Sequence, residues 1–149
     1  MSLNSIVQYA TLFSLMIGIL GLAIAIVIHR QQVTTQIFLA VSDRYDELLK
    51  TSPTGLWMTR GRSEADLPEP SDEITISVLR HYGHFSFSYF LFRQGRIPAN
   101  MWKLLLPSMQ HTLLSPLFVR EWKVLRFDFE TFPDFIAFVR SIQEGNPKE

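Results

Sequence analysis

Residues 6–28, IVQYATLFSLMIGILGLAIAIVI, contain no charged side chain. Coiled as a helix rising about 1.5 Å per residue, they reach roughly 34 Å, enough to cross a bilayer core of about 30 Å with modest tilt. The rest of the chain is then a domain hung from a membrane. A cleaved signal would need a positive leader and a small-x-small cleavage site. Ala23-Ile24-Ala25 meets the last requirement, but no Lys or Arg precedes the run, and Ile26-Val27-Ile28 continues it. The segment therefore reads as an uncleaved anchor. Basic residues flank it on one side only, at Arg30, Arg44 and Lys50. The positive-inside rule then puts the N-terminus outside and the domain in the cytoplasm.

Arg30 is the first of the 14 basic residues and no acidic residue precedes it, so the remainder holds 13 basic against 14 acidic groups. That balance argues against nucleic acid as a partner, because phosphate binding needs a basic excess. It argues equally against polybasic binding to anionic lipid. The chain has no cysteine, which excludes disulfides, thiol catalysis and thiolate metal sites. Its 12 Phe and 3 Trp favour a packed aromatic core over disorder.

The expected organisation is a short head (residues 1–5), a transmembrane helix (6–28), a helical stalk continuous with it (29–50), an irregular loop (51–71), a helical bundle (72–144) and a tail (145–149). Neither Gly nor Pro occurs between Ala23 and Ser52, so the helix has no reason to stop at the membrane. Ile37, Val41, Tyr45 and Leu48 give the stalk an apolar stripe that needs a partner. Asp46 and Lys50, acid then base four residues apart, form a favourable helical pair. The loop, TSPTGLWMTRGRSEADLPEPS, carries an apolar knot at Leu56-Trp57-Met58. Trp57 either folds onto the core or meets the membrane interface or a partner.

Ser71 is a good N-cap, Asp72 and Glu73 suit the positive end of a helix, and Gly95 suits a left-handed stop. Ile74, Val78, Tyr82, Phe85, Tyr89 and Phe92 make one apolar face of this helix. Ile76, Leu79, Phe87 and Phe90 make a second, so the helix is expected to be central and covered on both sides. The next helix opens at Pro98, and Pro107 predicts a kink or break near residues 103–106. Ser115-Pro116 starts a fourth, with Phe118, Trp122, Leu125 and Phe129 inward and Arg120, Glu121 and Lys123 outward. A last helix carries Phe132, Phe135, Ile136, Val139 and Ile142. The fold class expected is all-α: one N-terminal transmembrane helix extending into a small cytoplasmic bundle of about four further helices.

Chemistry is sparse. His81 and His84, three apart, are weak candidates for two positions of a metal site, but no third ligand lies nearby in sequence. No nucleophile elbow, P-loop or dinucleotide fingerprint occurs. Neither a catalytic residue nor a cofactor is expected. In the span, Ser14, Gly18, Gly21 and Ala25 are spaced by four, three and four, which puts them on one helical face. Small residues so placed admit another helix closely, although Gly and Ala are also simply common in membrane helices.

Three stretches, YFLFRQGRIPANMWKLLLPSM, LLSPLFVREWKVL and FPDFIAFV, carry a resemblance. With Gly95 ending one helix, Trp102 in the next and Trp122 about 20 residues on, the chain resembles small bacterial single-span membrane proteins with a cytoplasmic helical domain of unknown function. The resemblance implies a bacterial inner-membrane address. It comes with no assigned activity and so lends no catalytic residue. The function expected is a membrane-anchored, non-enzymatic interaction or accessory protein. Its partners would be the bilayer and another membrane protein or a second copy, held through the Ser14/Gly18/Gly21/Ala25 face, the aromatic bundle or Trp57. The alternative is a membrane-tethered sensor or small-ligand-binding domain with a pocket near His81, His84 and Tyr89.

Overall fold

The computed structural model describes residues 3–53, 56, 63 and 66–145, with side chains from residue 7 onward. Among them are five α helices and no strand, so the fold is all-α. They are α1 (Leu3–Thr51), α2 (Asp72–Arg93), α3 (Ala99–Leu113), α4 (Pro116–Leu125) and α5 (Pro133–Gln143), with a 3₁₀ turn, Arg126–Phe129, between the last two. The chain divides into two compact units, Met1–Ile37 and Phe38–Glu149, and the division falls inside α1.

The first unit is a single helical run. Its most apolar 18-residue stretch has a mean hydropathy of 2.7 and none of it is buried. By length and composition, α1 qualifies to cross a membrane, the only such helix among the described residues.

In the second unit, α2 lies at the centre and touches α3, α4 and α5. Its ends are set as its sequence requires. The Ser71 hydroxyl accepts from the Ile74 amide, and Gly95, at φ +67°, takes the left-handed position after the last turn. The Gly95 amide then donates to the Phe92 carbonyl and the Arg96 amide to the Leu91 carbonyl, the two bonds of a Schellman stop. On its inner face Val78, Tyr82 and Phe85 are buried. The Tyr82 ring stacks on Trp122 at 4.5 Å and leans on Phe118 and Phe129. Its hydroxyl donates to the Phe118 carbonyl at 3.0 Å and accepts from Gln143 of α5. Burial pushes the Tyr82 phenol well above its ordinary pKa, so it stays a donor. A second aromatic group closes the far end of α2. There Phe92 stacks on Trp102 and Tyr89 on Phe138, each pair at 4.5 Å.

Four local expectations need correction. Pro107 does not break its helix, and α3 runs through it. Pro107 and Lys103 are both exposed, so the carbonyl freed by the missing amide lies on the solvent side, within reach of water. The fourth helix stops at Leu125 and tightens into the 3₁₀ turn, which still brings Phe129 inward. On α1, Val41 and Leu48 are buried and Tyr45 half-buried, as the stripe requires. However, the ion pair there joins Arg44 to Glu47, and Asp46 and Lys50 form none among the described residues. Finally, Glu121 does not face outward. It is 6% exposed. Trp57 and Met58 lie outside the described residues, while their neighbour Leu56 is buried.

Candidate functional site

Ser14, Gly18, Gly21 and Ala25 all lie exposed on α1 of the first unit. A Cβ placed on Gly18 or Gly21 meets no atom within 4 Å. The four make a shallow face of the kind on which a second helix packs closely.

In the second unit the two histidines of α2 part company. Residues three apart on a helix differ by about 60° in direction, enough to separate an inward side chain from an oblique one. His81 is fully buried. Its Nδ1 lies 2.8 Å from the Ser77 carbonyl, which only accepts, so Nδ1 carries the proton. The ring packs edge-on against Phe118 at 5.6 Å. His84 is half-buried and faces α1, where its ring stacks on Tyr45 at 5.5 Å and 20°. Burial, then the nearby His81 and Arg44, lowers its pKa from 6.5 to about 4, so the imidazole is neutral at physiological pH. No group of three or more His, Asp or Glu side chains with metal-binding proximity occurs among the described residues. Tyr89 belongs to the other aromatic group, with Trp102 and Phe138, and takes no part here.

Beside His84 is a cleft of about 190 Å³, open to solvent on one side. Its floor is Phe85 and Met109, both buried, with Leu105. Around them stand Ser42, Tyr45 and Asp46 of α1, Ser88 of α2 and Ser108 of α3. The Ser88 hydroxyl donates to the His84 carbonyl at 2.8 Å, and the Tyr45 hydroxyl lies 3.5 Å from those of Ser108 and Thr112. These serines and Tyr45 carry no local motif in the sequence. Only the approach of three helices brings them together.

The second apolar face of α2 is not covered as expected. Ile76, Phe87 and Phe90 are 49%, 56% and 44% exposed, and Gly83 on the same side is open. On the flank of this face a polar cluster ties α2 to α4. Glu121 accepts from the Thr75 hydroxyl at 2.8 Å and from Arg120 Nε at 2.9 Å, while Arg120 Nη1 donates to the Pro68 carbonyl at 2.7 Å. Each acceptor oxygen of Glu121 is thereby occupied, which marks the cluster as a structural clasp rather than a reactive site.

No family model, curated protein or solved structure matches the chain.

Proposed function

We propose that the protein is a membrane-anchored, non-enzymatic interaction or accessory protein. In this reading α1 spans a bacterial inner membrane once, with the N-terminus outside and the helical domain in the cytoplasm, the side marked by Arg30, Arg44 and Lys50. The observation that carries it is the uncovered 18-residue stretch of mean hydropathy 2.7. Lipid is the natural cover for so apolar a surface. The Ser14/Gly18/Gly21/Ala25 face then meets another membrane protein or a second copy, because lipid leaves helix association to close packing. The exposed Ile76, Phe87 and Phe90 give the domain a further surface for the same partner. The test is Gly18→Leu with Gly21→Leu in the full-length protein extracted in mild detergent. Loss of co-purifying protein and of self-association supports the reading, and an unchanged complex refutes the span-face part of it.

A second reading is favoured by the cleft beside His84. Three helices leave an apolar floor ringed with hydroxyls, a carboxylate and a neutral imidazole, the make-up of a small-ligand site. The protein is then a membrane-tethered sensor whose domain binds a small molecule.

A further inference from the structure

The cleft beside His84 has a definite chemical bias. Among the described residues its only formally charged lining group is Asp46, and no Lys or Arg lines it. Asp46 has no ion-pair partner among the described residues, since Arg44 is engaged by Glu47 and Lys50 does not reach it. The polar groups beside it are acceptors as well as donors. The Ser88 hydroxyl donates its hydrogen bond to the His84 carbonyl, which leaves its lone pairs for a guest. The neutral His84 ring offers one unprotonated nitrogen. Ser42, Ser108 and Tyr45 add hydroxyl oxygens. A carboxylate surrounded by acceptors suits a cation with several N–H donors better than an anion, because the nearby Arg44 does not line the cleft and is held by Glu47.

Size sets the other half of the description. About 190 Å³ is slightly more than a cavity that admits benzene. The floor of Phe85, Leu105 and Met109 offers that volume an apolar and polarisable surface.

We propose that this cleft is a binding site for a small organic amine, its ammonium group held by Asp46 and its single-ring or short branched body laid on Phe85 and Met109. The proposal rests on the sensor reading and names the ligand class for it. Arg44 stays with Glu47, and the guest's ammonium takes the open place beside Asp46. The Tyr45–His84 stack forms the wall along which a flat body slides.

The test uses full-length protein in detergent and three probes of one shape and three charges: benzylamine, benzyl alcohol and benzoate. Binding is followed by ligand-observed nuclear magnetic resonance at neutral pH, up to about 10 mM, a range suited to ligands this small. Two variants accompany the native chain. Asp46→Asn removes the charge at an exposed position, and Ser108→Trp fills the mouth from another exposed position. Melting curves establish that both variants fold. Benzylamine is expected to bind best, about tenfold weaker to Asp46→Asn, the loss of one charge-assisted contact. Ser108→Trp is expected to abolish its binding. Benzyl alcohol or benzoate binding as tightly as benzylamine, and lost in Ser108→Trp, would overturn the amine class while leaving the ligand-binding reading intact. Benzylamine binding indifferent to both variants would overturn the site. Failure of all three probes to bind would overturn the proposal.

Discussion

Glu121→Ala tests how the second unit is held together. The side chain lies among charged positions, Arg120, Glu121 and Lys123, that read as the solvated side of the helix, yet it is 6% exposed. Its removal deprives the Thr75 hydroxyl of its acceptor and Arg120 of its counter-ion. Breaking a fully buried pair from one side costs about 3–5 kcal/mol. The Arg120 side chain is 21% exposed and keeps its bond to the Pro68 carbonyl, so part of its charge is still solvated. The expected loss is therefore smaller, about 2–3 kcal/mol. For a domain of this size that lowers Tm by about 10 °C. Tryptophan fluorescence of the full-length protein in detergent follows it directly, because Trp122 is the adjacent residue and stacks on Tyr82. Glu121→Gln keeps an acceptor for Thr75 and should lose about 1 kcal/mol. Replacing the pair together, Arg120→Met with Glu121→Leu, should cost less than Glu121→Ala alone, since no charge is then stranded. A Tm for Glu121→Ala within about 2 °C of the native value would refute the clasp. So would strict additivity of the single Arg120 and Glu121 substitutions.

Other outcomes follow from the same geometry. Tyr82→Phe keeps the ring stack and loses the hydroxyl bonds to Phe118 and Gln143, so about 1–2 kcal/mol should go in a denaturant melt. Gly95→Ala meets no atom within 4 Å, so its cost is that of holding φ +67° with a Cβ, about 1–2 kcal/mol in the same assay. His84 is a base whose folded pKa, about 4, lies below its unfolded 6.5. The neutral form is favoured by folding, so stability is level above pH 6.5 and falls as pH drops from there towards 4. Allowing for solvent at the half-buried ring, about 1–2 kcal/mol is lost, and His84→Gln should flatten this limb of a pH–stability profile.

What the sequence made legible was written in local pattern. The apolar run of 6–28, the Ser71 cap and the Gly95 stop each need only neighbours in the chain to be recognised, and α1 and α2 follow them. Trp102 and Trp122 were readable as core because their helical spacing repeats that of the buried residues around them. The inward turn of Glu121 was not readable, since its partner Thr75 is 46 residues away and nothing in a charged side chain announces a distant hydroxyl. Likewise His81 and His84 look equivalent at three-residue spacing. Their fates diverge because one points at Phe118 of α4 and the other at Tyr45 of α1.

The second face of α2 shows the limit most sharply. Ile76, Phe87 and Phe90 have the periodicity of a buried stripe, and periodicity reports only that a face is apolar, not what covers it. The inner face is covered because α3, α4 and α5 all pack around Val78, Tyr82 and Phe85. Three short helices of 15, 10 and 11 residues leave the far side of a 22-residue helix only partly covered, with Leu79 half-buried and Phe90 edge-on to Phe132. A domain that folds on one side of its central helix and keeps aromatic side chains on the other retains apolar surface for association. Phe87→Ser should therefore leave Tm nearly unchanged while reducing co-purification of a partner from detergent extracts, whereas Phe90, whose ring also meets Phe132, should cost some stability when replaced. A Tm loss of several degrees for Phe87→Ser with partner recovery intact would instead show that this ring serves the fold.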